Sequence, residues 1–465
     1  MDFKKIIHEL EPEIIKSTQE VIRIKSVEEK PLEGKPFGEG TYEALNYMLE
    51  LGKDLGFKSK NFDGYAGHID FGQGEQVVGV LAHLDVVPEG EGWTYPPYSG
   101  EIHDGKIYGR GTMDDKGPAV ASLYAMKVLE KSGLELNKKV RLILGTNEES
   151  RWECMKHYFS KEKAPDMAFT PDADFPVIYG EKGIIGFDLV YNTHKTSGCD
   201  ISLLDIKGGT AINMVPDSAK AVLFVKDKEM FNNLYEEYIK ETKENIKIES
   251  LGENIVVKAK GISAHGSTPE KGENAISYLM KFLGYVYSGE CSICRFINLY
   301  NERIGFKHHG EGIGCGLEDE ISGKLNFNPG LIDFVDGKII LKVNVRYPIT
   351  LSSQDVYNGI RENLKDTPIE LIQGESDTKP LYVPQDNILV QALMKVYQEQ
   401  TGDYDSKPIT IGGGTYARAM KNAVAFGPVF PGQEELAHQK DENISIENLL
   451  KLTEIYAYAL YELSK

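Results

Sequence analysis

The residues of this chain that could do chemistry fall in a repeating pattern of acids and histidines after short apolar runs. The run Val77-Val78-Gly79-Val80-Leu81-Ala82 leads into His83-Leu84-Asp85. Asp114-Asp115-Lys116-Gly117 stands just before an amphipathic stretch, Glu148-Glu149 follows the run at 140–144, and Asp172 follows the run at 166–170. Singly these are ordinary signals: a polar pair, a capping turn, a charged first helical turn. Their coincidence at successive strand ends is what carries meaning. In an open α/β sheet, ligands bind outside the carboxyl ends of the strands, so His83, Asp85, Asp114, Glu148, Glu149 and Asp172 are expected at one edge. That many carboxylates cannot share a small cavity without a compensating cation. Imidazole with carboxylate suits Zn²⁺, Co²⁺ or Mn²⁺.

The elements that must position these residues follow from periodicity. The nearly continuous apolar run at 77–82 reads as a strand buried on both faces, and 140–144 and 166–170 read as a second and a third strand beside it. Residues 118–131 read as a helix with Pro near its first turn and Gly133 beyond its end. The segment 3–24 has helical spacing, with Pro12 a point where it is expected to break. Strand alternating with helix is the grammar of a mostly parallel sheet covered by helices. After 180–183 the texture changes. Segments 254–260 and 338–345 alternate apolar and polar residues, as in a sheet with one wet face, and 275–286 reads as a helix beside them. The polar stretch 373–380 reads as a linker, 388–400 as a helix and 422–426 as a returning strand. The expectation is an α/β catalytic domain in two parts, 1–182 and 379–465, with an inserted α+β lid domain at 183–378.

Composition bounds the alternatives. The chain has 465 residues, more than one hydrophobic core supports, with 41% hydrophobic and 26% charged residues. Its 71 acids against 52 bases leave a net charge of −19. That field repels phosphate backbones and anionic lipid, so neither nucleic acid nor membrane is an expected partner. No apolar run is long enough to span a bilayer, and the first residues turn charged before a signal-peptide core could form. Five cysteines, an odd and sparse set, point to a reducing cytoplasm. Cys291-Ser292-Ile293-Cys294 lacks the second pair a zinc ribbon needs, and His157, His308 and His309 read as ordinary loop or helix residues. The glycines at 412–414 lack the Gly-Lys-Ser/Thr ending of a nucleotide loop.

Taken in order, Ala82-His83-Leu84-Asp85-Val86-Val87-Pro88, Gly92-Trp93, the segment 109–117, Thr146-Asn147-Glu148-Glu149, Pro171-Asp172-Ala173-Asp174, the segment 261–266 and the segment 412–418 resemble the dinuclear zinc exopeptidases of the aminoacylase, carboxypeptidase G and carnosinase type. Within them, the resemblance is strongest to carnosinase-like bacterial dipeptidases. It spans essentially the whole chain and implies two divalent metal ions, Zn²⁺ or else Mn²⁺ or Co²⁺. It implies that Asp114 bridges both, that His83 and Asp172 complete one site, and that Glu149 and His438 complete the other. Asp85 would orient the His83 imidazole. Glu148 would be the general base, and the Asp114–Asp115 peptide would be cis.

From the inserted domain, the resemblance implies that His265 stabilises the oxyanion, Arg346 clamps a substrate carboxylate and Asn213 contacts the scissile carbonyl. Gly413, Gly414 and Thr415 would offer N–H groups to that carboxylate, and 180–183 and 374–380 would be hinges. The expected activity is hydrolysis of small unblocked dipeptides by a cytoplasmic monomer. The alternatives are an N-acyl amino acid deacylase of the same family and a non-catalytic metal-dependent binding protein.

Overall fold

The computed structural model describes residues 2–193, 200–287 and 291–465. Cys199, one of the five cysteines, lies outside the described residues. The chain divides into two units: one of Met1–Gly180, Leu381–Ile409 and Gly414–Lys465, the other of Glu181–Pro380 and Thr410–Gly413.

The first unit is built on a sheet whose centre is parallel. Its strand order is Lys58–Phe62, Ala66–Phe71, Lys139–Gly145, Val77–His83, Met167–Thr170, Ala423–Ala425, Ile178–Glu181, Leu381–Tyr382. Val77–His83 pairs in parallel with Lys139–Gly145 and with Met167–Thr170, which pairs in parallel with Ala423–Ala425. The outer strand Ala66–Phe71 is antiparallel to Lys139–Gly145. The apolar run at 77–82 is buried on both faces, as a parallel strand under helices must be: Val78, Val80, Leu81 and Ala82 are wholly inaccessible. Helices Lys116–Ser132 and Ile446–Ser464 lie on these central strands, and Glu39–Asp54 and Glu153–Lys161 lie on Ala66–Phe71. Gly133 ends the first of these in the left-handed conformation.

Two expectations fail here for physical reasons. The first helix runs unbroken over Lys4–Ile22 with Pro12 inside it. Its apolar stripe of Ile7, Leu10, Ile14, Val21 and Ile22 is buried along the whole length, and that packing outweighs the hydrogen bond that proline removes. The polar stretch read as a linker is instead the second half of the strand Ile369–Thr378, which pairs with Gly183–Asn192. It is an exposed edge strand, so its composition is that of solvent-facing chain.

The second unit is an antiparallel sheet in the order Ile246–Leu251, Asn254–Lys260, Ser218–Val225, Ile201–Gly208, Asn326–Val335, Lys338–Tyr347, Gly183–Asn192, Ile369–Thr378. Alternation puts Ala219, Ala221, Leu223 and Val225 on the buried face with Ile276, Leu279 and Leu283 of the helix Ala275–Val286. Gly412 and Gly413 group with this unit because Ile411 accepts the Lys182 N–H at 2.9 Å and Gly412 accepts from Arg346 at 3.1 Å. Among the described residues, no helix is long and apolar enough to cross a membrane.

Candidate active site

The parallel centre of the first unit brings successive strand ends to one edge. His83 is the last residue of its strand and pairs with Gly145, so the loop carrying Glu148 and Glu149 leaves the sheet beside it. Asp172 lies two residues beyond the strand Met167–Thr170. Asp114 and Asp115 end the turn before the helix Lys116–Ser132, joined by a cis peptide. Gly117 must be glycine, because a side chain there would collide with the Thr112 carbonyl.

The side chains converge. His83 Nε2 lies 2.9 Å from Asp114 Oδ1 and 3.7 Å from Asp172 Oδ2. His438 Nε2 lies 3.0 Å from the other oxygen of Asp114 and 3.1 Å from Glu149 Oε1. His83, Asp114 and Glu149 have ligand atoms within 4.8 Å of one another, as do His83, Glu148 and Asp172. Glu148 therefore belongs to one of the two groups that could hold an ion. His438 is half exposed, at 51% of its side chain, while His83 is buried.

Asp85 meets both the His83 ring and the next loop. His83 Nδ1 lies 2.9 Å from the backbone carbonyl of Asp85 and 3.6 Å from its carboxylate. The carboxylate turns instead to the next loop, where Oδ1 accepts the Glu148 N–H and Oδ2 the Glu149 N–H, each at 3.0 Å. The reason is geometric: the carbonyl already satisfies the ring nitrogen, and two unpaired N–H groups need an acceptor. Asp115 accepts the His83 N–H at 3.1 Å. Glu28 braces the same loop from outside, accepting from Asn147, Ser150 and Arg151.

The electrostatics test whether a cation fits. Burial, with Asp114 beside it, pushes Glu149 up to about 7 and Asp172 up to about 6. Burial also raises Glu148 well above the carboxylate range, helped by Asp172 and Glu149 and opposed by His83. Burial would lower His438, yet Asp114 and Glu149 push it up to about 11. His83 is likewise raised against its burial by Asp114, Asp172 and Asp85. Burial comes first in raising the acids, and the acids in turn raise both imidazoles, so each group here is held in a cluster of buried negative charge. His83 Nε2 is buried without a hydrogen-bond partner although a carboxylate oxygen is near, the arrangement of two ligands aimed at a common ion. The donor set and its orphaned nitrogen fit divalent metal.

The residues expected from the inserted domain lie in the second unit. Met214, next to Asn213, bridges His265, and the Asn213 carbonyl accepts the Gly266 N–H at 2.7 Å. His265 Nδ1 lies 2.6 Å from Ser267 Oγ. Arg346 is 5% exposed, donating from Nε to Asn344 Oδ1 at 3.0 Å and from Nη1 to the Gly412 carbonyl at 3.1 Å. Gly413 follows in the same unit, whereas Gly414 and Thr415 belong to the first. The Thr415 hydroxyl caps a short helix by accepting the Ala417 N–H at 3.2 Å.

Three further residues stand near the site. Glu28 and Glu442 are acids among 71, distinguished by their partners alone. Tyr416 lies over Gly145, its ring centroid 6.0 Å from that of His83 and its hydroxyl 2.9 Å from Cys154 Sγ. Elsewhere, Cys291 Sγ accepts the Cys294 N–H at the start of a helix, and His157 pairs with Asp63.

Comparison with known proteins gives the family. Residues 79–462 match Peptidase family M20/M25/M40. The chain is 42% identical over 459 residues to the Bacillus subtilis protein named Putative dipeptidase YtjP, covering 97% of each. It is 38% identical to a like-named protein of Staphylococcus epidermidis, covering 99% of each. Among solved structures, human carnosine dipeptidase 1 shares the fold with a TM-score of 0.58 at 16% identity, covering 99% of this chain and 98% of that one. The di-peptidase Dug1p of Saccharomyces cerevisiae does so with a TM-score of 0.57 at 15% identity, with 99% and 98% covered.

Proposed function

The chain belongs to peptidase family M20/M25/M40 and is a metallopeptidase, and on that premise we propose that it hydrolyses small unblocked dipeptides using two divalent cations held in its first unit. The observation that carries this reading is the convergence of His83 and His438 on opposite oxygens of Asp114. Asp114 is assigned as the shared ligand, His83 and Asp172 as the rest of one site, and Glu149 and His438 as the rest of the other. Zn²⁺ suits this set best, and Mn²⁺ or Co²⁺ are accepted by the same atoms. Bound there, the cations supply Lewis acidity that polarises a carbonyl and makes water easier to deprotonate.

The chain's own residues do the rest. Glu148 takes the proton from the attacking water at its carboxylate and delivers it to the leaving amine. Asp85 fixes the loop on which Glu148 and Glu149 sit. His265 donates to the developing oxyanion, and Asn213 contacts the same carbonyl. Arg346 holds the C-terminal carboxylate of the dipeptide, helped by N–H groups at Gly413, Gly414 and Thr415. What supports Arg346 is its rigidity: a guanidinium fixed by Asn344 and Gly412 loses little freedom on taking an anion. The substrate class is supported by the names of the sequence relatives.

The test is a substrate panel after chelation and re-addition of Zn²⁺ or Mn²⁺. Metal-dependent cleavage of free dipeptides, β-Ala-His among them, is the expected result. Cleavage confined to N-acetyl or N-succinyl amino acids would make the enzyme a deacylase with the same metal site, and tight metal binding without turnover would make it a binding protein. We place the enzyme in the cytoplasm as a monomer. The buried thiols of Cys154, Cys294 and Cys315 form no disulfide, which supports a reducing compartment, and sedimentation as a dimer would refute the monomer.

A further inference from the structure

Glu442 is completely buried, and its carboxylate gathers a ring of donors from one turn. Oε2 accepts from Arg110 Nη1 at 2.8 Å, and both oxygens accept the Gly111 N–H at 3.1 Å. Oε1 accepts the N–H groups of Met113 at 2.9 Å and Asp114 at 3.2 Å. The Glu442 backbone carbonyl takes the Gly109 N–H at 2.9 Å. The turn that delivers Asp114 is thus moulded around a single anion.

The same anion belongs to the segment that delivers His438. Arg110 Nη1 also donates to the carbonyl of Gln439, next to His438, at 3.1 Å. Asp441, beside Glu442, accepts the N–H of Thr94 at 2.6 Å and its hydroxyl at 2.9 Å. His438 and Asp441 both have positive φ, 63° and 59°, so the segment takes a course that depends on such anchors. Charge-assisted bonds in a dry interior are short, strong and directional, and several on one carboxylate leave the turn little freedom.

We propose that Glu442 is a positioning residue for the metal centre: by gripping the N–H groups of Gly111, Met113 and Asp114 from four residues beyond His438, it sets the Asp114 carboxylate against the His438 imidazole. The proposal rests on the assignment of Asp114 and His438 as metal ligands. Glu442 touches neither substrate nor metal and acts through these two residues alone.

The test is a titration of the metal-free protein with Zn²⁺ against a chromophoric chelator, with kcat and KM measured in parallel. Glu442→Gln is expected to weaken zinc binding 10- to 100-fold, the usual cost of losing a partner that orients a ligand, and to lower kcat with KM little changed. Glu442→Asp keeps the charge beside Arg110 but withdraws the carboxylate by one methylene, and is expected to bind zinc weakly as well. If Glu442→Gln fails to fold, Glu442→Asp decides. A purely charge-balancing role predicts wild-type zinc affinity in Glu442→Asp and restored affinity in the double variant Arg110→Met/Glu442→Gln; either result overturns the proposal. Asp114→Ala separates the two levels. If it binds zinc like wild type, the ligand assignment itself falls. If it loses zinc while the Glu442 variants do not, only the positioning role falls.

Discussion

The carboxylate of Asp85 caps the chain at Glu148, accepting its N–H at 3.0 Å while taking that of Glu149 with the other oxygen. Asp85→Asn keeps the size but turns an NH₂ donor toward one of two N–H donors. We expect kcat/KM to fall about 10- to 100-fold, with the His83 ring still held by the Asp85 carbonyl. Steady-state kinetics within twofold of wild type would refute this.

Glu148→Gln separates a base from a ligand, a distinction that matters because Glu148 shares a close group with His83 and Asp172. As the base, its loss lowers kcat by about 10²- to 10⁴-fold and leaves zinc binding intact. Zinc affinity falling along with kcat would make it a ligand instead.

Arg346→Met removes the proposed carboxylate clamp. A hydrogen bond to a charged group contributes about 1.5–3 kcal/mol, so KM for a free dipeptide should rise about 10- to 100-fold. A C-terminally amidated dipeptide should not distinguish variant from wild type. Equal effects on both substrates would show that Arg346 acts only through its bonds to Asn344 and Gly412.

Chelation should lower the melting temperature as well as abolish turnover, because a metal that binds only the folded state stabilises it by mass action. At a thousandfold excess over Kd that is about 4 kcal/mol. Scanning calorimetry with and without chelator reads this directly, and an unchanged midpoint would mean the acid cluster holds no cation.

His68 predicts an acid-side loss of stability. Burial, with Arg141 nearby, depresses it from 6.5 to about 4 in the folded state, and its Nδ1 lies 2.7 Å from the Tyr158 hydroxyl. The unfolded chain therefore takes up this proton first. The contribution of neutral His68 is full above pH 6.5, drains away as pH falls toward 4, and amounts to about 3 kcal/mol at most. His68→Gln should show a shallower decline in melting temperature across that window, and parallel curves would refute the assignment.

Much of the fold was legible because burial writes itself into local composition. A run such as 77–82 is apolar along its length only if both faces are covered, the strand at 140–144 departs from that pattern at Arg141, which pairs with Asp70, and the alternation at 254–260 marks one covered face. The strand at 373–378 was not legible, since an exposed edge strand and a linker meet the same solvent and differ only in the pairing with Gly183–Asn192. Pro12 misled for a related reason: the local cost of proline shows in the sequence, while the packing that outweighs it does not.

The sequence by itself determined which chemistry was available, because side-chain type at the ends of strands is local information: acids and imidazoles at His83, Asp114, Glu149 and Asp172 ask for a cation wherever they meet. Only the tertiary structure decided the supporting contacts. It turned the Asp85 carboxylate to the Glu148 loop, and it buried Glu442 under the turn that carries Asp114. An acid that grips backbone N–H groups looks, in sequence, like any surface acid. Its role comes from burial and from donors more than three hundred positions away, and those exist only once the chain has folded.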